Sequence, residues 1–416
     1  MIIRIGTLIR DDQGLPEKTN YPSSSPLRAP LLSLCLFVAT MLMSPLLHAQ
    51  TILTDLGDLG GGSSQGESIN DSGEVVGYSI SNASTGATSA FLYSDGTMTN
   101  LQPALDTGFA VNSSAFGIND SGQVVGENTT SDGASEYAFL YDNGTVTNLG
   151  TLGGTVSSAN SINSSGQIVG TSYTTGNAGE EAFLYENGTM TGLGTLTGYT
   201  SSSSAVGINN SGQIAVNASN STGRMNAFID TNGTKTNLGT LGGTGTQAVT
   251  EASAINNSGQ VVGVSYTSSG IESAFLYSNG TMTNLNTLGA MASWAYGINN
   301  SGEVVGSLTL NDSGPGPDAF LYTSATGMEN LNTIYASLLV SNHGGEAGFY
   351  DLSIATGVND EGQITGVGDY WNGSTDEGEA FVLSPQATPE PSTWMLLLGG
   401  LAVLGWARLR VRTKRD

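Results

Sequence analysis

Ile69-Asn70-Asp71-Ser72-Gly73-Glu74-Val75 is the stretch whose reading decides the fold, because six more versions of it follow, starting at Ile118, Ile162, Ile208, Ile255, Ile298 and Val358. The starts lie 49, 44, 46, 47, 43 and 60 residues apart, and every copy keeps a glycine at its fifth position, from Gly73 to Gly362. A period near 45 residues holding four short strand-like runs reads as a propeller blade. One such unit cannot bury its apolar face alone, so neighbours must stack.

Three further phrases fill the period. Ala-Phe-Leu-Tyr or a variant starts at Ala90, Ala138, Ala182, Ala227, Ala274, Ala319 and Ala380. In the third repeat, strands are predicted over Ala159 to Asn163, Gln167 to Ser172, Ala182 to Tyr185 and Thr189 to Leu193. The first hairpin turns through Asn-x-Ser-Gly. The second turns at Asp95-Gly96, Asn143-Gly144, Asn187-Gly188, Asn232-Gly233 and Asn279-Gly280, the strongest short hairpin signal. The fourth phrase, of the type Thr-Asn-Leu-Gly-Thr-Leu-Gly-Gly, recurs near Leu56, Leu101, Leu149, Leu193, Leu238, Leu285 and Leu331. Its first copy precedes the first Ile-Asn phrase and none follows Ala380. This one-strand offset is what a closed ring uses, with Thr51 to Leu59 completing the last blade so that no sheet edge stays open. The expected fold is therefore all-β: a seven-bladed β-propeller of four-stranded repeats, closed by an N-terminal strand.

Two repeats depart from the pattern. The fourth reads as Ala215-Val216-Asn217 in place of Val-Val-Gly and holds Arg224 and Lys235. The last is lengthened by about 15 residues between Leu331 and Val358, a stretch that includes Tyr335 and His343.

Charge divides the chain of 416 residues. Of 11 Lys and Arg, four lie before residue 29 and five in the last nine residues; the body between keeps 30 acids and two bases, a net of −28. So acidic a body repels nucleic acid and anionic lipid. Residues 1 to 49 carry bases up to Arg28 and an apolar run from Leu31 to Leu47, and they end in Leu47-His48-Ala49. This reads as a secretory signal peptide with an extended polar leader, cut after Ala49 and handled by the Sec machinery. Cys35, the single cysteine, falls inside it, so the body from 50 to 384 has no disulfide to form. The segment 385 to 416 holds Pro389-Glu390-Pro391, an apolar run from Trp394 to Trp406 and five bases. A short transmembrane helix is expected at about 393 to 409, with the basic tail cytoplasmic.

The triplet Pro389-Glu390-Pro391, the short apolar run and the Arg-rich end resemble the PEP-CTERM sorting signal of exopolysaccharide-producing Gram-negative bacteria. That resemblance implies recognition and cleavage by an exosortase, a transient membrane anchor, and a final place at the cell surface or outside the cell. The body phrases, such as Ala138-Phe139-Leu140-Tyr141 and Leu149-Gly150-Thr151-Leu152-Gly153-Gly154, resemble the HAF repeats of extracellular bacterial proteins. The histidine that names those repeats is absent: Ser89, Tyr137, Glu181, Asn226, Ser273, Asp318 and Glu379 stand before the Ala-Phe pairs.

Little in the chain points to catalysis. His343 is the one histidine beyond the signal peptide, and no Gly-x-Ser-x-Gly elbow lies near it, so no catalytic residue is assigned. One histidine and no cysteine make no zinc site. Calcium is the cofactor left open, by the acidic loops Asp312 to Asp318 and Asp369 to Glu379. The candidate ligand-contacting residues are His343 and the pair Tyr370-Trp371, read as lying in the last long loop. The expected function is a non-enzymatic binding or structural protein associated with exopolysaccharide. The alternatives are a polysaccharide-active enzyme on the same scaffold and a calcium-stabilised adhesin.

Overall fold

A computed structural model describes residues 51–102, 110–130, 135–194, 196, 198–311, 316–341 and 346–385. The expected signal peptide, transmembrane helix and sorting triplet Pro389-Glu390-Pro391 fall outside these, as does His343. Among the described residues no helix is long and apolar enough to cross a membrane.

Among the described residues the fold is all-β. Their strands form five antiparallel four-stranded sheets and one eight-stranded sheet, the latter made of two four-stranded halves joined through a single parallel pairing of Val156 with Glu136. Each group of four begins with an inner strand: Ser64–Ile69, Ala110–Ile118, Gly153–Ile162, Ser202–Ile208, Thr250–Ile255, Ala292–Ile298 and Gly348–Val358. The last group has only three consecutive strands of its own. Its fourth is Thr51–Asp55, which pairs antiparallel with Asp376–Pro385 from Thr51 opposite Pro385 to Asp55 opposite Phe381.

The turns follow from their residues. In the second hairpins Asp95, Asn143, Asn187, Asn232 and Asn279 sit at φ 48° to 53° and the glycines after them at 77° to 85°. Two successive left-handed residues make the turn whose twist matches the strands it joins.

The apolar core lies between sheets rather than within any one of them. One cluster joins Val76, Ala90 and Leu101 of the first group to Ala115, Ile118, Val124 and Phe139 of the second. Equivalent clusters recur at each junction, and the last joins Leu56, Ala380 and Val382 to Ile69, Val75 and Phe91. Serines tie the same junctions: the amides of Ala90, Ala138, Ala182, Ala274 and Ala380 donate to the hydroxyls of Ser113, Ser157, Ser203, Ser293 and Ser64 at 2.9–3.0 Å.

None of the sheets closes on itself. What does close is a circle of side-chain hydrogen bonds built from the asparagine of the Ile-Asn phrase. Nδ2 of Asn70 donates to the carbonyl of Asn119, and the relay continues through Asn163, Asn209, Asn256, Asn299 and Asn359, which donates back to Asn70, all at 2.8–3.1 Å. The Oδ1 of each also accepts backbone N–H groups of its own turn, as Asn209 does from Ser211 and Gln213. Every asparagine is buried. One residue type thus shapes the local turn and binds it to the next group.

The fourth repeat differs in register from the sequence reading. Val216, not Asn217, occupies the glycine position: it pairs with Ala205, where Gly170 pairs with Ala159 in the third repeat. A Cβ at Gly77, Gly126, Gly170, Gly263, Gly306 or Gly366 would come within 1.9–2.0 Å of an inner-strand carbonyl oxygen. The partner phenylalanine ring also covers most of these glycines, and in the fourth repeat Phe228 instead meets Tyr199 edge-on, with centroids 5.2 Å apart. Farther along, the cross-strand pairs Tyr93–Met98, Tyr141–Val146, Tyr185–Met190, Tyr277–Met282 and Tyr322–Met328 give way to Asp230 and Lys235, an ion pair at 2.9 Å. Lys235 also donates to the carbonyl of Leu193 at 2.8 Å, so the buried charge is shared with the neighbouring group.

Candidate functional site

The seven inner strands carry the same irregularity at the same place. Pairing with the second strand slips by one residue between Gly66 and Ser68, and likewise around positions 116, 160, 206, 253, 296 and 356. Each slip is a β-bulge, which leaves one residue unpaired and re-aims its side chain. The bulged residues are Glu67, Phe116, Asn160, Val206, Ser253, Tyr296 and Thr356. All seven line one central cavity of about 580 Å³. Each is half-buried, whereas the small residue before it, Gly66 or an alanine, is buried. No two of the seven are the same residue, whereas the residue just before each is glycine or alanine and the one just after is serine, glycine or alanine.

Beyond the bulges stand Ile69, Ile118, Ile162, Ile255, Ile298 and Val358, shared with a smaller cavity of about 180 Å³ on the asparagine side, which Ile208 also lines. An outer rank there passes backbone N–H groups around the rim. Asp71 donates to Asp120, Asn300 to Asp360, and Asp360 back to Asp71, at 2.7–3.0 Å. These aspartates hold the rim together. Asp71 is held above the usual carboxylate range, by burial first and by the neighbouring acids Asp120, Asp360 and Glu361.

Among the described residues Glu67 is the one acid lining the larger cavity, and no Lys, Arg or His lines it. Burial pushes its carboxyl up to about 7, partly offset by the amide of Gln65, which donates to Oε1 at 2.8 Å. Tyr78 faces it from the second strand, donates to Gln65 at 3.0 Å, and is raised by burial and by Glu67. Asn160 donates to the carbonyl of Ala205 at 2.8 Å and Thr356 to that of Gly66 at 2.7 Å, so two polar members are fixed by neighbouring groups. Among the described residues no group of three or more His, Cys, Asp or Glu is placed to hold a metal ion.

The residues expected from sequence lie elsewhere. Tyr370 and Trp371 are not in a loop; they end the strand Ile364–Trp371, paired with Phe349 and Gly348 on one side and Glu377 and Asp376 on the other. The lengthened last repeat provides an 11-residue inner strand, Gly348–Val358, and so gives them a partner. The Tyr370 ring meets Phe349 edge-on at 5.1 Å, and Phe349 meets Phe381 at 6.1 Å, which is core packing. Of the insertion, the helix Leu331–Ile334 is capped by Asn330, and Tyr335, Leu338 and Leu339 pack on the same core. The bulge positions escaped the sequence reading, although their one signal was visible: dissimilar residues two before each Ile-Asn.

A second unusual carboxyl marks the seam where the chain ends meet. Glu379 is only 3% exposed and its Oε2 lies 2.7 Å from the Ser64 hydroxyl, which donates to the carbonyl of Gly57 at 2.7 Å. Burial, followed by Asp55, Asp58 and Glu377, raises it from 4.5 to about 7 against the Ser64 bond. The folded protein keeps a proton that the unfolded chain releases between these values, so this group's contribution to stability is full below pH 4.5 and is lost as pH rises to about 7. Glu379→Gln, which mimics the protonated form, is expected to raise stability at pH 8 by about 1–2 kcal/mol after solvent screening, with no gain at pH 4. Urea unfolding at the two pH values checks this; an equal effect at both would remove the protonation account.

Comparison with known proteins adds an address and a set of folds. Residues 387–412 match the PEP-CTERM protein-sorting motif, so the chain is an exported protein sorted by an exosortase through a transient membrane-anchored intermediate. No curated protein matches the sequence. Similar solved structures include TolB from Acinetobacter baumannii, with TM-score 0.39 and 13% identity over 72% of this chain and 77% of that one. The β-propeller domain of the Trilobed protease from Pyrococcus furiosus has TM-score 0.46 and 8% identity over 76% and 97%. A puromycin-hydrolyzing peptidase of Mycobacterium tuberculosis has TM-score 0.47 and 10% identity over 77% and 52%.

Proposed function

We propose that this exported chain is a HAF-type seven-bladed β-propeller, occupying 50–384 between a signal peptide at 1–49 and a sorting segment at 385–416 with a transmembrane helix at 393–409. It acts as a non-enzymatic binding component of the cell surface or extracellular matrix, associated with exopolysaccharide. Support for the closed ring comes from the asparagine relay that returns to Asn70 and from the pairing of Thr51–Asp55 with the last strand. Exosortase and the Sec machinery are its processing partners, and the Pro389-Glu390-Pro391 triplet is what the exosortase reads.

The observation that carries binding over hydrolysis is the single carboxyl among the residues lining the central cavity, Glu67. Glycosidases of the usual kind set two carboxyls across the scissile bond, about 5–10 Å apart. The rim aspartates Asp71, Asp120 and Asp360 line the smaller cavity instead. Purified body is expected to be retained on exopolysaccharide from its own host, equally with calcium and with chelator, and to release no reducing sugar from it. Loss of retention together with measurable glycan turnover would replace the binding reading with the enzyme.

A further inference from the structure

The seven bulges place seven dissimilar side chains around one cavity, in an otherwise repetitive chain. Folding alone does not need that diversity, because the residues immediately on either side of each bulge are small in every repeat. A ring of side chains that differ from one another suits an asymmetric occupant.

Resting on the binding reading, we propose that the central cavity holds one small neutral sugar unit, gripped by the rings of Phe116 and Tyr296 and hydrogen-bonded by Asn160, Ser253, Thr356 and Glu67. Phe116 and Tyr296 are four repeats apart one way and three the other, so they stand on nearly opposite walls. Aromatic faces there meet the C–H faces of a pyranose, while the hydroxyl and amide groups on the remaining walls meet its edge. Volume agrees with this, since about 580 Å³ lies within the range of small-ligand sites. Charge narrows the class. Phosphates, nucleotides and uronic acids would need a cation, and among the described residues no Lys, Arg or His lines the cavity. Glu67 would repel them further once ionised.

The test uses the purified protein with methyl α-glucoside, methyl α-galactoside, methyl α-mannoside and N-acetylglucosamine as probes and glucose 6-phosphate as the anionic control, read by saturation-transfer NMR. At least one neutral sugar is expected to bind, and glucose 6-phosphate to give no signal. Phe116→Ala and Tyr296→Ala should each weaken binding by about tenfold or more, the loss of one aromatic contact. Both residues face the cavity, so the melting temperature should hardly move. Ser253→Trp, which fills the cavity instead of emptying it, should abolish binding in a folded protein. Absence of binding by every neutral probe, or binding that survives Ser253→Trp, overturns the proposal. The two readings fail separately. Polymer retention that persists in Ser253→Trp, with no sugar bound by wild type, removes only the cavity site; sugar binding without polymer retention removes the exopolysaccharide association and leaves the cavity site standing.

Discussion

Deleting Thr51 to Gly60 from the purified body is expected to abolish cooperative unfolding or to lower its midpoint beyond any single substitution. The strand Thr51–Asp55 completes the last sheet, pairing residue for residue with Phe381 to Pro385. Just after it, Leu56 is buried between the last and first groups, and its amide donates to the carbonyl of Ala380 at 3.0 Å. Losing a buried leucine costs about 2–5 kcal/mol. Each strand hydrogen bond adds about 1 kcal/mol. Together these approach the about 5–15 kcal/mol that a whole domain holds, and the deletion also bares the edge of Asp376–Pro385 to other chains. A rescue separates ring closure from mere loss of length. Since Thr51 faces Pro385, the ten residues can be moved behind Pro385 through an Asn-Gly turn and regain the same pairing. The permuted chain should recover most of the stability. A simple deletion that melts like the parent would show that the seam holds nothing together, and a destabilised deletion that the permuted chain fails to rescue would remove the account by ring closure.

The second large effect is expected at Asn209. Asn209→Ala removes the Nδ2 donor to the carbonyl of Asn256 at 3.0 Å and to Gln213 at 2.9 Å, and the Oδ1 acceptor for the amides of Ser211 and Gln213. A buried polar group left without its partner costs about 1–3 kcal/mol. Several are orphaned at once, some of which water reaches, so the loss should be about 2–4 kcal/mol. Asn237→Ala is the comparison: its Oδ1 also accepts a turn amide, that of Gly239 at 2.8 Å, but it is exposed and ties no second sheet. That change should fall within about 0.5 kcal/mol. Urea midpoints of the two variants decide the matter. Equal, small losses would mean that the asparagine circle decorates a ring held by its apolar clusters alone.

Much of the fold could be read from residues that act locally. Asp95-Gly96 and its four counterparts adopt the left-handed pair their composition calls for. In the third repeat each expected strand overlaps an observed one, Gly153–Ile162, Ile168–Thr174, Glu180–Glu186 and Thr189–Gly192, but the inner strand begins six residues before Ala159, where the reading placed its start. The one-strand offset of the phrases anticipated the pairing of the first strand with the last. Tyr370 and Trp371 misled because their neighbours look loop-like and their strand partner, Phe349, lies across the irregular insertion. In the fourth repeat an alignment by composition slipped one position, since Val216 resembles the valine before a glycine, whereas only its partner Ala205 fixes its place.

The candidate site was the least legible part. Period-two alternation assigns side chains to faces only along an unbroken strand, and a bulge shifts that phase by one residue. Whether a bulge exists depends on a second strand's pairing, so nothing within Gly66-Glu67-Ser68 announces that Glu67 turns into a cavity. By itself the sequence determined the repeat, the turns, the all-β class and the export address, because each is written in residues close together along the chain. Tertiary structure decided which side chains line the cavity, how Asn359 returns to Asn70, and that Glu379 is buried at the seam. Those depend on groups 289 and 315 residues apart in the chain being brought into contact.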